Sequence, residues 1–253
     1  MIAPADPVPS DAGRASAQLS LLGGFELRID GVEAALPMHA RRVIAYLALR
    51  KSSDRECTRQ VLAERLWEDS PPVRSLASLR TALWRIRRVD PHLLTGDTER
   101  VALADHVEVD VHCFRRYAEG LLSGITTCVP PDVRLLCGAA ELLPGWDEDW
   151  LMLFREQVRM LRLHTLEAVA RRLCEQGRHP QAIDLILWVV AEEPLRESAR
   201  AVLIDAHLGA GNAAEAHRQF HLFATGLWHE LALRPSPELG RRLGLPAAAA
   251  TGH

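Results

Sequence analysis

Residues 75–88 read SLASLRTALWRIRR. Leu76, Leu79, Leu83 and Ile86 recur every three or four positions, the period of a helix with one apolar stripe, so these four predict the core face of an amphipathic helix. At ~100° per residue, Arg74, Ala77, Ser78, Thr81, Trp84, Arg85 and Arg88 fall on the opposite side, with Arg80 and Arg87 on its flank. A solvated helix face ordinarily mixes charges. This one does not: no Asp or Glu occurs between Ser70 and Val89. From Arg41 to Arg88 twelve basic residues stand against five acidic ones, in a chain whose net charge is −3. A basic patch on an otherwise acidic molecule is the electrostatic footprint of a polyanion partner.

The flanking sequence gives this helix its setting. HARRVIAYLALR (39–50) has the period of a first helix, with Val43, Ile44, Leu47 and Ala48 on one face. Residues 54–57 read as a short extended link. Thr58 is suited to cap a second helix, RQVLAERLW (59–67), which Pro71-Pro72 stops. The third helix then runs from about Val73 to Val89, and Pro91 ends it. Upstream, Asp30-Gly31 between FELRI and VEAAL signals a hairpin in a small antiparallel sheet; downstream, HLLTGDTERVALA (92–104) places a TGD turn between two apolar segments, a second hairpin. Sheet, three helices and a hairpin make an α+β winged helix-turn-helix over residues 18–110, an architecture in which the last helix enters the DNA major groove and the hairpin, or wing, touches the flanking backbone.

Beyond Val111 the periodicity is helical throughout, with helices expected at about 111–122, 132–142, 148–176, 180–192, 196–210, 212–232 and 236–242. EQGRHPQAI (175–183) aligns with GAGNAAEAH (209–217), Gly177 on Gly211 and Ala182 on Ala216, an offset of 34 residues. That is the period of tetratricopeptide repeats, helix pairs that bury their faces by stacking on neighbours. Residues 111–245 are therefore expected to form an all-α, tetratricopeptide-like domain, with a disordered tail at 1–17 and a flexible one at 246–253.

Other classes find little support. The chain has 48% hydrophobic and 25% charged residues, a globular composition without an apolar run of membrane-spanning length. Its first residues lack the pattern of an export signal. Cys57, Cys113, Cys128, Cys137 and Cys174 are odd in number and never spaced CxxC, as expected of reduced cytoplasmic thiols. No phosphate-binding GxxxxGK[ST] loop or GxSxG motif occurs. His217 and His221 stand at i and i+4 without an HExxH context or an acidic third ligand. No catalytic, metal or cofactor site is expected, and Trp146 and Trp150 in PGWDEDW read as core anchors of the repeat domain.

Six ordered stretches, LLGGFELRIDG, VLAERLWEDSPP, SLRTALWRIRR, LLPGWDEDWLMLFREQ, EEPLRESA and ELALRPSPEL, together resemble the SARP-type activators of actinobacteria, an OmpR-like winged helix followed by a bacterial transcriptional activator domain. The resemblance spans residues 19 to about 245 and is to the short members of that family. It departs at the wing, where LLTGDTERVAL stands in place of the common Gly-Gly-Tyr segment. It implies a cytoplasmic activator that binds direct repeats in double-stranded promoter DNA near the −35 element as side-by-side protomers, and recruits RNA polymerase holoenzyme, including its σ factor, for a biosynthetic gene cluster. On the third helix Arg85 is the first choice for a guanine edge, since a guanidinium fork meets O6 and N7 together. Thr81 can pack its methyl on thymine, and Ser78 lies one turn earlier. Trp84 either donates its indole N–H or lies against a sugar at the DNA, or else packs on the other domain. Arg74, Arg80, Arg87 and Arg88 suit phosphates. Trp67 matches a tryptophan that reaches a phosphate in such folds, and Arg59 sits at a helix N-terminus, where backbone amides favour an anion. The alternative is a repeat-based interaction module that binds a partner through the concave face of residues 148–242 and whose winged helix does not bind DNA.

Overall fold

In a computed structural model, residues 16–50, 57–125 and 141–245 are described. They fall into two compact units: one takes in the chain through Phe114 together with the stretch ending at Phe154, and the other the remainder. The residues 141–154 thus group with the first unit, not with the helical domain that the sequence assigns to 111–245. The expected helix over 132–142 lies outside the described residues up to 140, as do residues 1–15, 54–56, Cys128, Cys137 and the 246–253 tail.

The first unit opens with β1 (Ala17–Ser20), β2 (Glu26–Ile29) and β3 (Val32–Glu33). Asp30 and Gly31 both have positive φ, 50° and 78°, the two-residue turn whose twist suits a hairpin. α1 (Met38–Arg50) follows and buries Val43, Ile44, Leu47 and Ala48, the face its periodicity predicts. Then come β4 (Cys57–Thr58), α2 (Arg59–Leu66), α3 (Pro72–Val89), β5 (Leu94–Gly96), β6 (Arg100–Leu103), β7 (Val107–Val109) and the start of α4 (Asp110–Leu122). Thr58 caps α2 as expected, its hydroxyl accepting from the Val61 N–H at 3.4 Å.

Two features depart from the expected sheet. The first sheet is mixed, in the order β3-β2-β1-β7, because β7 runs parallel to β1. The Asp110 carboxylate holds that closure by accepting from the Leu21, Leu22 and Val111 amides at 2.7–3.0 Å. The wing is a three-stranded sheet, β4-β6-β5, since the extended link ahead of α2 pairs with β6, Cys57 opposite Val101 and Thr58 opposite Arg100.

Trp146 and Trp150 also differ from expectation. Rather than anchoring the repeats, they pack within the first unit: Trp146 stacks on Phe25 with centroids 6.0 Å apart, and Trp150 meets Tyr46 edge-on at 5.2 Å. The Trp150 Nε1–H and the Arg42 guanidinium both bond to the Glu148 carboxylate, at 2.8 and 2.6 Å, which fixes this segment's side chains.

Among the described residues the second unit is all-helical. It contains most of α5 (Asp149–Glu175), then α6 (His179–Glu192), α7 (Glu197–Gly209), α8 (Ala213–Leu231) and α9 (Pro237–Arg242). The 34-residue offset holds in detail. Gly177 and Gly211 both turn left-handed, at φ 72° and 77°, and the next amide in each case donates back to the equivalent carbonyl, Arg178 to Leu173 and Asn212 to His207, at 2.8 Å. Ala182, Leu185, Ile186 and Val189 of α6 are buried, and so are their counterparts Ala216, Gln219, Phe220 and Phe223 of α8. The fold is the expected one, a winged helix-turn-helix followed by a tetratricopeptide-like helical domain.

Candidate nucleic-acid interface

α3 begins at Pro71-Pro72, where a proline's missing N–H is harmless. Ser75 then turns inward, its hydroxyl donating to the Pro72 carbonyl at 3.0 Å and its amide to Pro71 at 3.0 Å. The helix ends where the Asp90 amide closes on Ile86 and the Asp90 carboxylate accepts the His92 N–H at 2.7 Å. Arg87 and Arg88 occupy the last turn, where the helix dipole favours cations.

The buried seam is Ser75, Leu79, Ala82, Leu83 and Ile86, and Leu76 is only half-buried. At ~100° per residue this seam is rotated by about 40° from the one the leucine spacing predicts. Small residues explain the rotation: Ala82 needs little room, and Ser75 satisfies its hydroxyl within its own turn. The rotation carries Trp84 and Arg88 toward the middle of the open face. It moves Ser78, half-buried, to the edge.

Arg74, Arg80, Arg85, Arg87 and Arg88 are all exposed, and among the described residues none has a carboxylate partner. Trp84 is 51% exposed and carries two of them, the Arg85 and Arg88 guanidinium carbons lying 5.1 and 5.0 Å from its ring centroid. Thr81 donates its hydroxyl to the Ala77 carbonyl at 3.1 Å, which leaves its methyl and both oxygen lone pairs uncommitted. Eight of the ten residues singled out in the sequence are therefore on α3. The structure places Arg59 and Trp67 apart from them, at the two ends of α2.

Arg59 is bound to the wing. Its amide donates to the Glu99 carbonyl at 2.8 Å and its Nη2 to the Asp97 carbonyl at 2.6 Å. The wing turn is held at its other side by the Asp97 carboxylate, which accepts the Glu99 and Arg100 amides at 2.7 and 2.8 Å. Those amides, Arg100 first, keep the Asp97 carboxyl below the usual range. Gly96 is required here, since φ is +116° and a Cβ would stand 2.4 Å from the Arg100 carbonyl oxygen. Trp67, half-buried at the end of α2, has the Arg42 guanidinium 5.7 Å over its ring and borders a cavity of about 370 Å³ with Arg65, Asp69 and Glu148. Sequence reasoning missed the Arg59–Asp97 link, for which no local pattern exists, and passed over exposed Arg100 on the wing, whose place just after the TGD turn was available as a signal.

The His217 Nδ1 lies 2.9 Å from the Ala213 carbonyl, and the described residues hold no group of three or more His, Cys, Asp or Glu placed to bind a metal. No helix among the described residues is long and apolar enough to cross a membrane.

Comparison with known proteins adds to this geometry. Residues 138–243 match the bacterial transcriptional activator domain. The chain is 29% identical over 208 residues to the regulatory protein AfsR of Streptomyces coelicolor and 28% identical over 210 residues to the regulatory protein AfsR of Streptomyces griseus; each match covers 79% of this chain and 21% of the relative. The chain therefore corresponds to about a fifth of the length of these relatives. The structure of Mycobacterium tuberculosis EmbR in complex with a low-affinity phosphopeptide superimposes with a TM-score of 0.78 at 21% identity, over 94% of this chain and 68% of that one.

Proposed function

We propose that the chain is a SARP-type, promoter-binding activator whose α3 docks in the DNA major groove, a reading that its likeness to the bacterial transcriptional activator domain and to the AfsR regulatory proteins supports. The observation that carries this is the outer face of α3: five exposed arginines without a carboxylate partner among the described residues, on the third helix of a winged fold. Arg85 reads a guanine edge, Thr81 packs its methyl on a neighbouring thymine, and Ser78 completes the base-side contacts, with Trp84 beside Arg85 on the same face. Arg74, Arg80, Arg87 and Arg88 hold phosphates. Arg59 and Trp67 contribute at the ends of α2, Arg59 with the donors that its Asp97 bond leaves over. The chain acts as side-by-side protomers on direct repeats near the −35 element of a biosynthetic cluster's promoter and requires no cofactor.

RNA polymerase holoenzyme, with its σ factor, is the proposed protein partner, and the second unit the surface that meets it. Trp188 and Leu222 support this choice: they stand 61% and 53% exposed, 34 residues apart, at the same position of successive repeats.

Footprinting on the promoters nearest the gene tests the reading. We expect protected direct repeats, and an Arg85→Ala protein that binds its cognate site about 1–3 kcal/mol more weakly and discriminates less at one base pair. Absence of protection at every promoter tried, together with no salt-dependent binding, would favour an interaction module instead.

A further inference from the structure

Arginines elsewhere in the first unit show what is particular about Trp84. Arg42 commits its donors to the Leu66 carbonyl and the Glu148 carboxylate, and Arg59 commits one to the Asp97 carbonyl. Such bonds fix a guanidinium by using up its N–H groups. A ring fixes it differently. A guanidinium lying over an aromatic face is held through its own flat face, while its five N–H donors, all in its plane, stay available for an outside acceptor.

We infer that Trp84 is a positioning residue for two DNA-contacting arginines, Arg85 at a base edge and Arg88 at a phosphate: its ring holds both guanidinium groups in place, with their hydrogen-bonding edges open, before DNA arrives. Both lie at about the same distance, 5.1 and 5.0 Å, from one ring. Arg88 reaches it as the i+4 neighbour, the usual helical contact; Arg85, the adjacent residue, reaches it because an indole is wide. An unrestrained arginine has rotamer entropy to lose on binding, and the ring contact removes part of that loss in advance. The placement also accounts for an aromatic near the centre of a wet helix face, where it is half exposed and takes no part in the buried seam. This inference rests on the DNA-binding reading of α3.

The test is a double-mutant cycle on the full chain, with a duplex selected from a randomised library as probe and with each base pair of that duplex substituted in turn. Arg85→Ala identifies the base pair where discrimination is lost. At that pair, Trp84→Leu, which keeps an apolar, helix-favouring side chain without the π face, is expected to reduce discrimination about two- to fivefold, the range of an exposed cation–π contact. Trp84→Phe restores most of it, and Trp84→Leu has little further effect on discrimination once Arg85 is Ala. The thermal midpoint stays close to the wild-type value, because Trp84 takes no part in the buried seam. Trp84→Leu binding with undiminished discrimination at that pair, or an equal drop in discrimination with and without Arg85, overturns the positioning of Arg85 and leaves the groove reading standing. If Arg85→Ala changes discrimination at no base pair, the groove reading of α3 fails and the inference with it.

Discussion

The arginines of α3 and those of the second unit are chemically the same and placed to opposite ends. In the second unit Arg159, Arg162, Arg171, Arg196, Arg218, Arg241 and Arg242 each have a carboxylate partner. Glu167 is the most enclosed of these acids, 3% exposed in its side chain, and accepts from Arg171, Arg196 and the Ser198 hydroxyl. On α3 five arginines face solvent and are, among the described residues, without such a partner. Charge that is neutralised internally holds helices together; charge that is left open has its electrostatic energy still to gain from a polyanion. The difference separates charge paired within the fold from charge left open on α3.

Removing the most enclosed acid gives the largest expected effect. Glu167→Ala leaves Arg196 without its carboxylate and is expected to destabilise the chain by about 3–5 kcal/mol in chemical denaturation, while base discrimination on DNA is unchanged in the protein that remains folded. A Glu167→Ala protein as stable as wild type would erase the contrast on the stability side.

Next is the wing of the first unit. Gly96→Ala pushes a Cβ against the Arg100 carbonyl at a left-handed φ, with an expected loss of about 1–3 kcal/mol of stability. The wing is then displaced and footprint edges weaken while the central contacts of α3 persist. Full protection at the edges would show that the wing contributes no contact.

The smallest effect concerns pH. His207 is buried, with an unpartnered Nδ1, and burial holds its pKa below the usual histidine value, Glu215 opposing and Arg218 reinforcing the shift. The fold therefore favours neutral His207: the unfolded chain takes up the proton first, so stability is full above about pH 6.5 and declines as pH falls below it. The denaturation midpoint should drop between about pH 7 and pH 5.5, and less so in His207→Phe. An undiminished drop would assign it to another group.

How far the molecule could be read in advance follows from the range of the interactions. The Asp30-Gly31 hairpin, the Thr58 cap and the Gly177/Gly211 repeat are local devices, and the sequence shows them directly. The α3 face was legible to within about 40°, since leucine spacing sees large apolar side chains and not the inward Ser75 and Ala82. What escaped was long-range: β7 beside β1, Arg59 on the wing, and Trp146 and Trp150 on Phe25 and Tyr46. Each joins residues far apart in the chain, with no periodic signal to announce the pairing.

The most direct test of open charge on α3 is the salt dependence of duplex binding, compared between wild type and single Arg74→Gln, Arg80→Gln, Arg87→Gln and Arg88→Gln proteins. The slope of log K against log salt should be about −0.9 per phosphate contacted, and each substitution should make it shallower by about 1 while weakening all duplexes alike. Four variants with the wild-type slope, or a wild-type protein whose binding ignores salt, would contradict the assignment of this face to DNA.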